Sequence, residues 1–237
     1  MLVLGIETST VRSSVALVDA DRVIASASLG LDRRHGEFVA PAIDFCLRQA
    51  GMTPDKLTGV AVGLGPGLYT GLRVGIATAQ TMAMSCGVPT VGSSGLDVLA
   101  FQARHTKRLI CTVVDAKRRE LFWAFYRPSP GGVQREGDLQ VGTLDALEAE
   151  IAATGESVLL VGDGGWLHRD RFEALDATLA GPESAWPDAA VLAELAVPKF
   201  IREDTLSPRE LQPIYLRGAD AKIGWATRGR LRGGTPA

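Results

Sequence analysis

One pattern occurs twice along this chain: three strand-like runs in succession, then alternating helix and strand. In the first half the runs are 2–6, 14–18 and 23–29, separated by polar Glu7-Thr8-Ser9-Thr10 and by Asp19-Ala20-Asp21-Arg22. A helix follows over 36–50, with Val39, Ile43, Cys46, Leu47 and Ala50 at helical spacing and Gly51 as its stop. Next come a buried strand at 60–64, a glycine turn, a helix over 70–85, a strand at 90–92 and a helix over 95–104. The second half predicts strands at 109–114, 120–126 and 133–141, a helix over 143–153 and a strand at 158–161. Turns are expected at 115–119, 127–132 and 162–165. This order predicts the α/β class and a duplicated unit divided near 104–108. Residues 1–104 then form a first lobe, 105–217 a second, and 218–237 a flexible basic tail. Identity between the halves is negligible, so the duplication rests on pattern alone.

A chain of 237 residues that is 46% hydrophobic has material for real cores, which excludes global disorder. Its formal net charge of -2 argues against a generic polyanion binder but leaves room for a local basic patch. Cys46, Cys86 and Cys111 are odd in number and far apart, so neither a disulfide framework nor a zinc knuckle is expected, and a reducing compartment fits. No apolar run approaches the roughly 18 residues that a membrane helix needs. The tail carries Lys222, Arg228, Arg230 and Arg232 against one acid, Asp220. It reads either as a solvated terminus or as a phosphate contact.

Little in the sequence offers chemistry. His35, His105 and His168 share no metal-binding spacing, and no GxSxG elbow is present. The run Gly63-Leu64-Gly65-Pro66-Gly67-Leu68-Tyr69-Thr70-Gly71 joins a strand to a helix. Helix N-termini and glycine backbones can hold an anion, but no Walker Lys follows. The loop is either a tight packing turn or a phosphate cradle, and Thr8-Ser9-Thr10 has the same two readings.

Two helices ask for a partner. Gly71, Gly75, Ala79 and Ala83 recur every four residues, leaving one helix face nearly smooth. On the other helix, Phe38, Ala42 and Phe45 extend apolar surface beyond the face built by Val39 and Ile43. A helix apolar over more than one face is either deeply buried or shared with another chain.

LGIETST at 4–10, SSVALV at 13–18, HGEFVAPAID at 35–44, AVGLGPGLYTGLRVGIATAQTMA at 61–83, DAKRRELFWAFY at 115–126 and PIYLR at 213–217 together resemble the TsaB (YeaZ-like) family. The resemblance implies the actin-like fold shared by actin, sugar kinases and heat-shock chaperones (ASKHA), with two duplicated lobes of mixed sheet flanked by helices. It implies a noncatalytic, cytoplasmic subunit of the tRNA threonylcarbamoyladenosine modification complex that dimerises with the catalytic paralogue TsaD. The ATPase subunit TsaE would be met through the complex and tRNA only indirectly, with a homodimer when the chain is alone. No catalytic residue, metal or cofactor is expected, and ATP or ADP is held weakly at most. The reasons are two departures from TsaD: SSGLDVLA at 93–100 lacks the His-x-x-x-His motif, and Val11 stands where TsaD has an acid.

Under the same resemblance Phe38, Ala42, Phe45, Gly71, Arg73, Gly75, Ala79 and Ala83 form the partner interface, with Arg73 at its rim. Thr8, Ser9, Gly65 and Gly67 are a vestigial phosphate loop. The alternative is an actin-like ATP-dependent phosphotransferase, for which Glu7 and Asp115 are the strand-end acids at hand. A metallopeptidase, suggested by the older glycoprotease label, finds no metal motif here.

Overall fold

The computed structural model describes residues 1–19, 22–30, 34–175 and 177–217. The expected tail, 218–237, lies outside them. The first half runs β1 (Leu2–Glu7), β2 (Ser13–Asp19), β3 (Arg22–Leu29), α1 (His35–Gln49), β4 (Gly59–Gly63), α2 (Tyr69–Cys86), β5 (Thr90–Ser93) and α3 (Gly95–Gln102). The second runs β6 (Leu109–Lys117), β7 (Glu120–Ser129), β8 (Gly132–Gly142), α4 (Leu144–Thr154), β9 (Val158–Val161), α5 (Asp163–Leu167), α6 (Arg169–Phe172), β10 (Ala177–Leu179) and α7 (Ala189–Ile201).

Each half builds a five-stranded sheet, ordered β3-β2-β1-β4-β5 and β8-β7-β6-β9-β10. The senses also match. The first three strands are antiparallel neighbours, and the last two add in parallel. The duplicated α/β unit expected from the pattern is therefore present, as two mixed sheets of matching order, the arrangement that the resemblance also implied. Three local expectations fail. Strand β6 runs on through Lys117, into the turn expected at 115–119. Strands β7 and β8 run through most of 127–132, leaving a turn at its centre, and 163–167 is helical where a turn was expected.

Strand alternation sends Leu2, Leu4 and Ile6 to one face of the first sheet, where α1 and α2 cover them. Val3, Ala16, Val18, Ala61 and Val91 point to the other, and α7 covers them through Ala189, Leu192, Ala193 and Ala196. So the last helix of the chain packs on the first sheet, although the sequence reading assigned it to the lobe 105–217. In exchange α3, assigned to the first lobe, packs on the second sheet through Leu96, Leu99 and Ala100. The remaining face of that sheet is closed by α4 and Phe172 of α6. Gly5 lets α7 approach: a Cβ there would lie 2.2 Å from the Ala189 carbonyl oxygen. After α7 the chain stays with the first half, pairing Leu206 with Thr90 and burying Leu211 among α1, α2 and β4. No helix of the described residues is long and apolar enough to cross a membrane.

Candidate partner-binding face

The smooth face of α2 points inward. Gly71, Gly75, Ala79 and Ala83 are buried against the first sheet, as is Ala42 of α1. A Cβ on Gly71 would meet the Thr8 carbonyl at 2.2 Å, and one on Gly75 the Thr8 hydroxyl at 2.2 Å. Close helix approach is what these residues permit, as the spacing implied, but the backbone approached belongs to the same chain. Thr8 fixes the contact by donating from Oγ1 to the Gly71 carbonyl (2.8 Å). These five residues of the expected interface are therefore core residues. Helical periodicity identifies a special face without saying which body it meets.

The outer face is built differently. Phe45 is 50% exposed, Phe38 partly so, and Arg73 is exposed, so these three expected residues do lie outside. Between α1 and α2 runs a groove of about 370 Å³ lined by Ala40, Ile43, Ala77, Thr78, Thr81 and Met82. Its two hydroxyls are turned into the helix: Thr78 Oγ1 donates to the Val74 carbonyl and Thr81 Oγ1 to the Ala77 carbonyl, both at 2.8 Å. Their hydrogen-bonding demand is met locally, so the groove presents mainly carbon. A second hollow of about 350 Å³ lies between α1 and β3, with Phe38, Pro41 and Phe45 on its wall. Arg34 and Glu37 also line this second hollow, and the exposed Asp44–Arg48 pair stands elsewhere on α1, one helical turn apart (2.9 Å).

At the N-terminus of α2, Arg73 lies over the Tyr69 ring, 4.1 Å from its centroid. Tyr215 stacks on Tyr69 at 5.8 Å, and Arg73 Nε donates to its hydroxyl (3.4 Å). The sequence reading singled out neither tyrosine. Tyr69 stands four residues before Arg73, a spacing that brings side chains together on a helix. Tyr215 comes from a distant segment that no local pattern places there.

Behind this face lies a polar seam. Of Thr8, Ser9, Gly65 and Gly67, Ser9 and Gly67 meet and leave no space between them: a Cβ on Gly67 would sit 1.9 Å from the Ser9 carbonyl, and Leu68 N–H donates to that same oxygen (2.7 Å), while Thr8 faces Gly71 and Gly75 and Gly65 faces Leu72. The packing reading of the glycine loop accounts for this geometry. Glu7 is fully buried, accepting from Ser9 N–H through Oε1 (2.6 Å). Desolvation raises its pKa to about 7, against the lowering effect of Ser9 and Thr8. Glu7 Oε2, Ser9 Oγ and Ser93 Oγ have no hydrogen-bond partner among the described residues. Ser13 Oγ lies 2.6 Å from His35 Nδ1, a buried pair joining β2 to the start of α1. Val11 lies on the bend after this seam and brings no acid to it. Cys46 and Cys111 are buried, Cys86 is partly so, and none is bridged.

Comparison with known proteins agrees with this architecture. The family model described as TsaD, tRNA N6-adenosine threonylcarbamoyltransferase, matches residues 29–147. The chain is 31% identical to the tRNA threonylcarbamoyladenosine biosynthesis protein TsaB of Bacillus subtilis, over 95% of this chain and 98% of that one. The solved structure of YeaZ from Pseudomonas aeruginosa superposes with a TM-score of 0.76 at 26% identity, covering 91% of this chain and 99% of that one. A likeness of fold alone extends to the activator of 2-hydroxyisocaproyl-CoA dehydratase from Clostridium difficile, with a TM-score of 0.52 at 10% identity, covering 91% of this chain and 100% of that one. Near-complete coverage by a relative of this similarity, on the same two-sheet frame, places the chain in the TsaB (YeaZ-like) family of tRNA threonylcarbamoyladenosine biosynthesis proteins.

Proposed function

We propose that this chain is the noncatalytic partner subunit of the cytoplasmic tRNA threonylcarbamoyladenosine modification complex. It pairs with the catalytic TsaD-type paralogue through the outer face of α1 and α2, and with a second copy of itself when that paralogue is absent. The ATPase subunit TsaE is reached through the complex. The observation that carries this reading is the α1–α2 groove, which presents mainly carbon on a face of α1 and α2 that also bears exposed charges. That anatomy fits two helices of another chain laid across two helices of this one. The interface is redrawn accordingly: Phe38, Phe45 and Arg73 remain, and Ala40, Ala77, Thr81 and Met82 take the place of the buried small residues.

A phosphotransferase would need carboxylates open to a nucleotide's metal. Glu7 is sealed from solvent, Ser9 and Gly67 close on one another, and Thr8 is closed by Gly71 and Gly75. The purified chain should therefore transfer no threonylcarbamoyl group by itself, yet be required in the reconstituted reaction. Co-purification with the paralogue, followed by modification assays with each subunit omitted, tests this. Ala77→Glu should remain folded and lose pairing, because it sets a charge in the middle of the groove. Robust turnover by the isolated chain, or wild-type pairing by a folded Ala77→Glu, overturns the reading.

A further inference from the structure

We infer that Arg73 is a pre-set anchor for a carboxylate of the paralogue, held in place by Tyr69 and by Tyr215 from the returning segment 206–217. This deepens the pairing proposed above and rests on it. Helix α2 carries one charged residue in 18, Arg73. The exposed stripe of the helix runs Tyr69, Arg73, Ala77 and Thr81 at four-residue spacing. Arg73 therefore stands one turn before the groove that Ala77 and Thr81 line. Arginine and tyrosine are enriched where protein interfaces concentrate their binding free energy. A nucleic-acid surface would offer several cations to successive phosphates, and this helix offers one.

Arg73 is set apart by a pairing left open. Among the described residues three arginines lie over aromatic rings: Arg73 over Tyr69, Arg104 over Phe101 and Arg217 over Phe122. Arg104 also holds Glu194 (2.8 Å), and Arg217 holds Glu120. Arg73 makes no ion pair among the described residues. Its Nε donates to the Tyr215 hydroxyl (3.4 Å), while Nη1 and Nη2 donate to no described group.

An exposed ion pair is ordinarily weak, because two long side chains give up rotamer freedom to form it. Here one of the two is already ordered, with the Tyr69 ring 4.1 Å from the guanidinium carbon and a hydroxyl at Nε. Tyr215 is fixed in turn by the chain on either side. Ile214 N–H donates to the Leu64 carbonyl (2.7 Å), and Arg217 Nη2 donates to the Lys117 carbonyl (3.0 Å). A planar guanidinium with both Nη groups free matches the two oxygens of one carboxylate. Tyr69 and Tyr215 are thus positioning residues, and the segment 206–217 joins the interface at its edge.

The test is calorimetric titration of the full-length chain with the purified paralogue over a salt series, with circular dichroism on every variant. Arg73→Gln should weaken pairing by about tenfold and flatten its salt dependence. Arg73→Lys keeps the charge without the fork and should stay at least about threefold weaker than the wild type. Tyr215→Leu should weaken pairing by about threefold to tenfold, and that loss should vanish in an Arg73→Gln background, because the ring acts through the guanidinium. Arg73→Glu should be rescued by a single Asp→Lys or Glu→Lys change on the paralogue. Additive losses at Tyr215 and Arg73, full affinity in Arg73→Lys, or no rescuing acid would each overturn the inference. Ala77→Glu separates it from the reading beneath it. If folded Ala77→Glu loses pairing while Arg73→Gln pairs like the wild type, Arg73 is no anchor and the pairing face stands. If both pair like the wild type, the pairing face falls and the anchor with it. If Arg73→Gln weakens only the binding of tRNA by the assembled pair, the ligand is a phosphate and the inference is overturned.

Discussion

At the end of β1 a carboxylic acid is sealed from water, whereas the matching end of β6 carries a carboxylate paired at the surface. Glu7 has no exposure and leans on the Ser9 amide. Asp115 accepts from both the amide and the ammonium of Lys117, and its own amide donates to Asp163 (3.0 Å). The helices differ in the same sense. The first sheet carries α1 and α2, 15 and 18 residues long, with a carbon-lined groove between them. The second carries α4, α5 and α6, of 11, 5 and 4 residues, and Arg171 ties α6 to Asp145 and Glu148 of α4. Topology does not decide this difference, since the strand orders are the same. The polar strand end is buried in the first half and ion-paired in the second, and the first half carries the carbon-lined groove between two long helices.

The sharpest way to break this comparison is at the exchanged helices. Helix α7 reaches the first sheet through small residues against Gly5, whereas α3 meets the second through Leu96 and Leu99. Gly5→Val puts carbon 2.2 Å from a backbone oxygen that cannot yield without moving α7. It should cost more than about 3 kcal/mol or prevent folding. Ala100→Gly in α3 should cost only about 2 kcal/mol, the helix penalty of glycine together with one buried methyl group. Urea unfolding measures both, and similar values would mean that the two crossings are packed alike.

The strands and helices up to β9 were legible in the sequence, because apolar periodicity follows from which face each element buries; the short α5, α6 and β10 carry too few residues to show a period. Helix α7 was not read. Ala189, Leu192, Ala193, Ala196, Val197 and Phe200 are buried between the first sheet and α3, and partly buried Ala190, Val191 and Leu195 also pack there. Apolar residues on several sides weaken the one-sided stripe that marks an amphipathic helix. The glycine face of α2 was legible as special, yet its partner is the Thr8 backbone, brought there by tertiary folding. Tyr69 and Tyr215 meet only because residues 206–217 return along the first half, pairing Ile214 with Leu64 and Leu206 with Thr90.

Glu7 gives the next effect in size. Burial holds its folded-state pKa at about 7, above its ordinary 4.5. Between those values the folded chain keeps a proton that the unfolded chain releases. Its contribution is therefore most favourable below about pH 4.5 and declines as pH rises, by up to about 3 kcal/mol above pH 7. Glu7→Gln removes that titration. The wild type should lose stability relative to the variant over this range in urea unfolding at several pH values. A pH-independent difference would mean that the carboxyl is not held protonated, and the contrast between strand ends would fall.

Under the proposed pairing, the outer surfaces of the two halves should respond differently to a charge. Phe45 of α1 and Leu167 of α5 are comparably exposed, at 50% and 59%. Phe45→Asp should weaken assembly with the paralogue by at least about tenfold, with a stability change within about 0.5 kcal/mol. Leu167→Asp should leave assembly as it was. Gel filtration and calorimetric titration with the purified partner read both. If Leu167→Asp is the disruptive change, the interface belongs to the second half.

The smallest expected effect tests why the α1–α2 groove counts as apolar although threonines line it. Thr81 Oγ1 is 2.8 Å from the Ala77 carbonyl and Thr78 Oγ1 is 2.8 Å from that of Val74. A hydroxyl engaged with its own helix has little to offer a partner, so its methyl group is what the groove presents. Valine has nearly the same shape and no hydroxyl. Thr78→Val with Thr81→Val should change stability by no more than about 1 kcal/mol, since a lost side-chain bond to an already bonded carbonyl is nearly balanced by valine's apolar surface. Affinity for the paralogue should hold or rise, within about threefold. A tenfold loss would mean that the hydroxyls turn outward to donate across the interface, and the contact would then be a hydrogen-bonded one. In that case Phe45→Asp and Ala77→Glu should also prove milder than expected, because the binding free energy would not be concentrated in carbon contacts along the two helices.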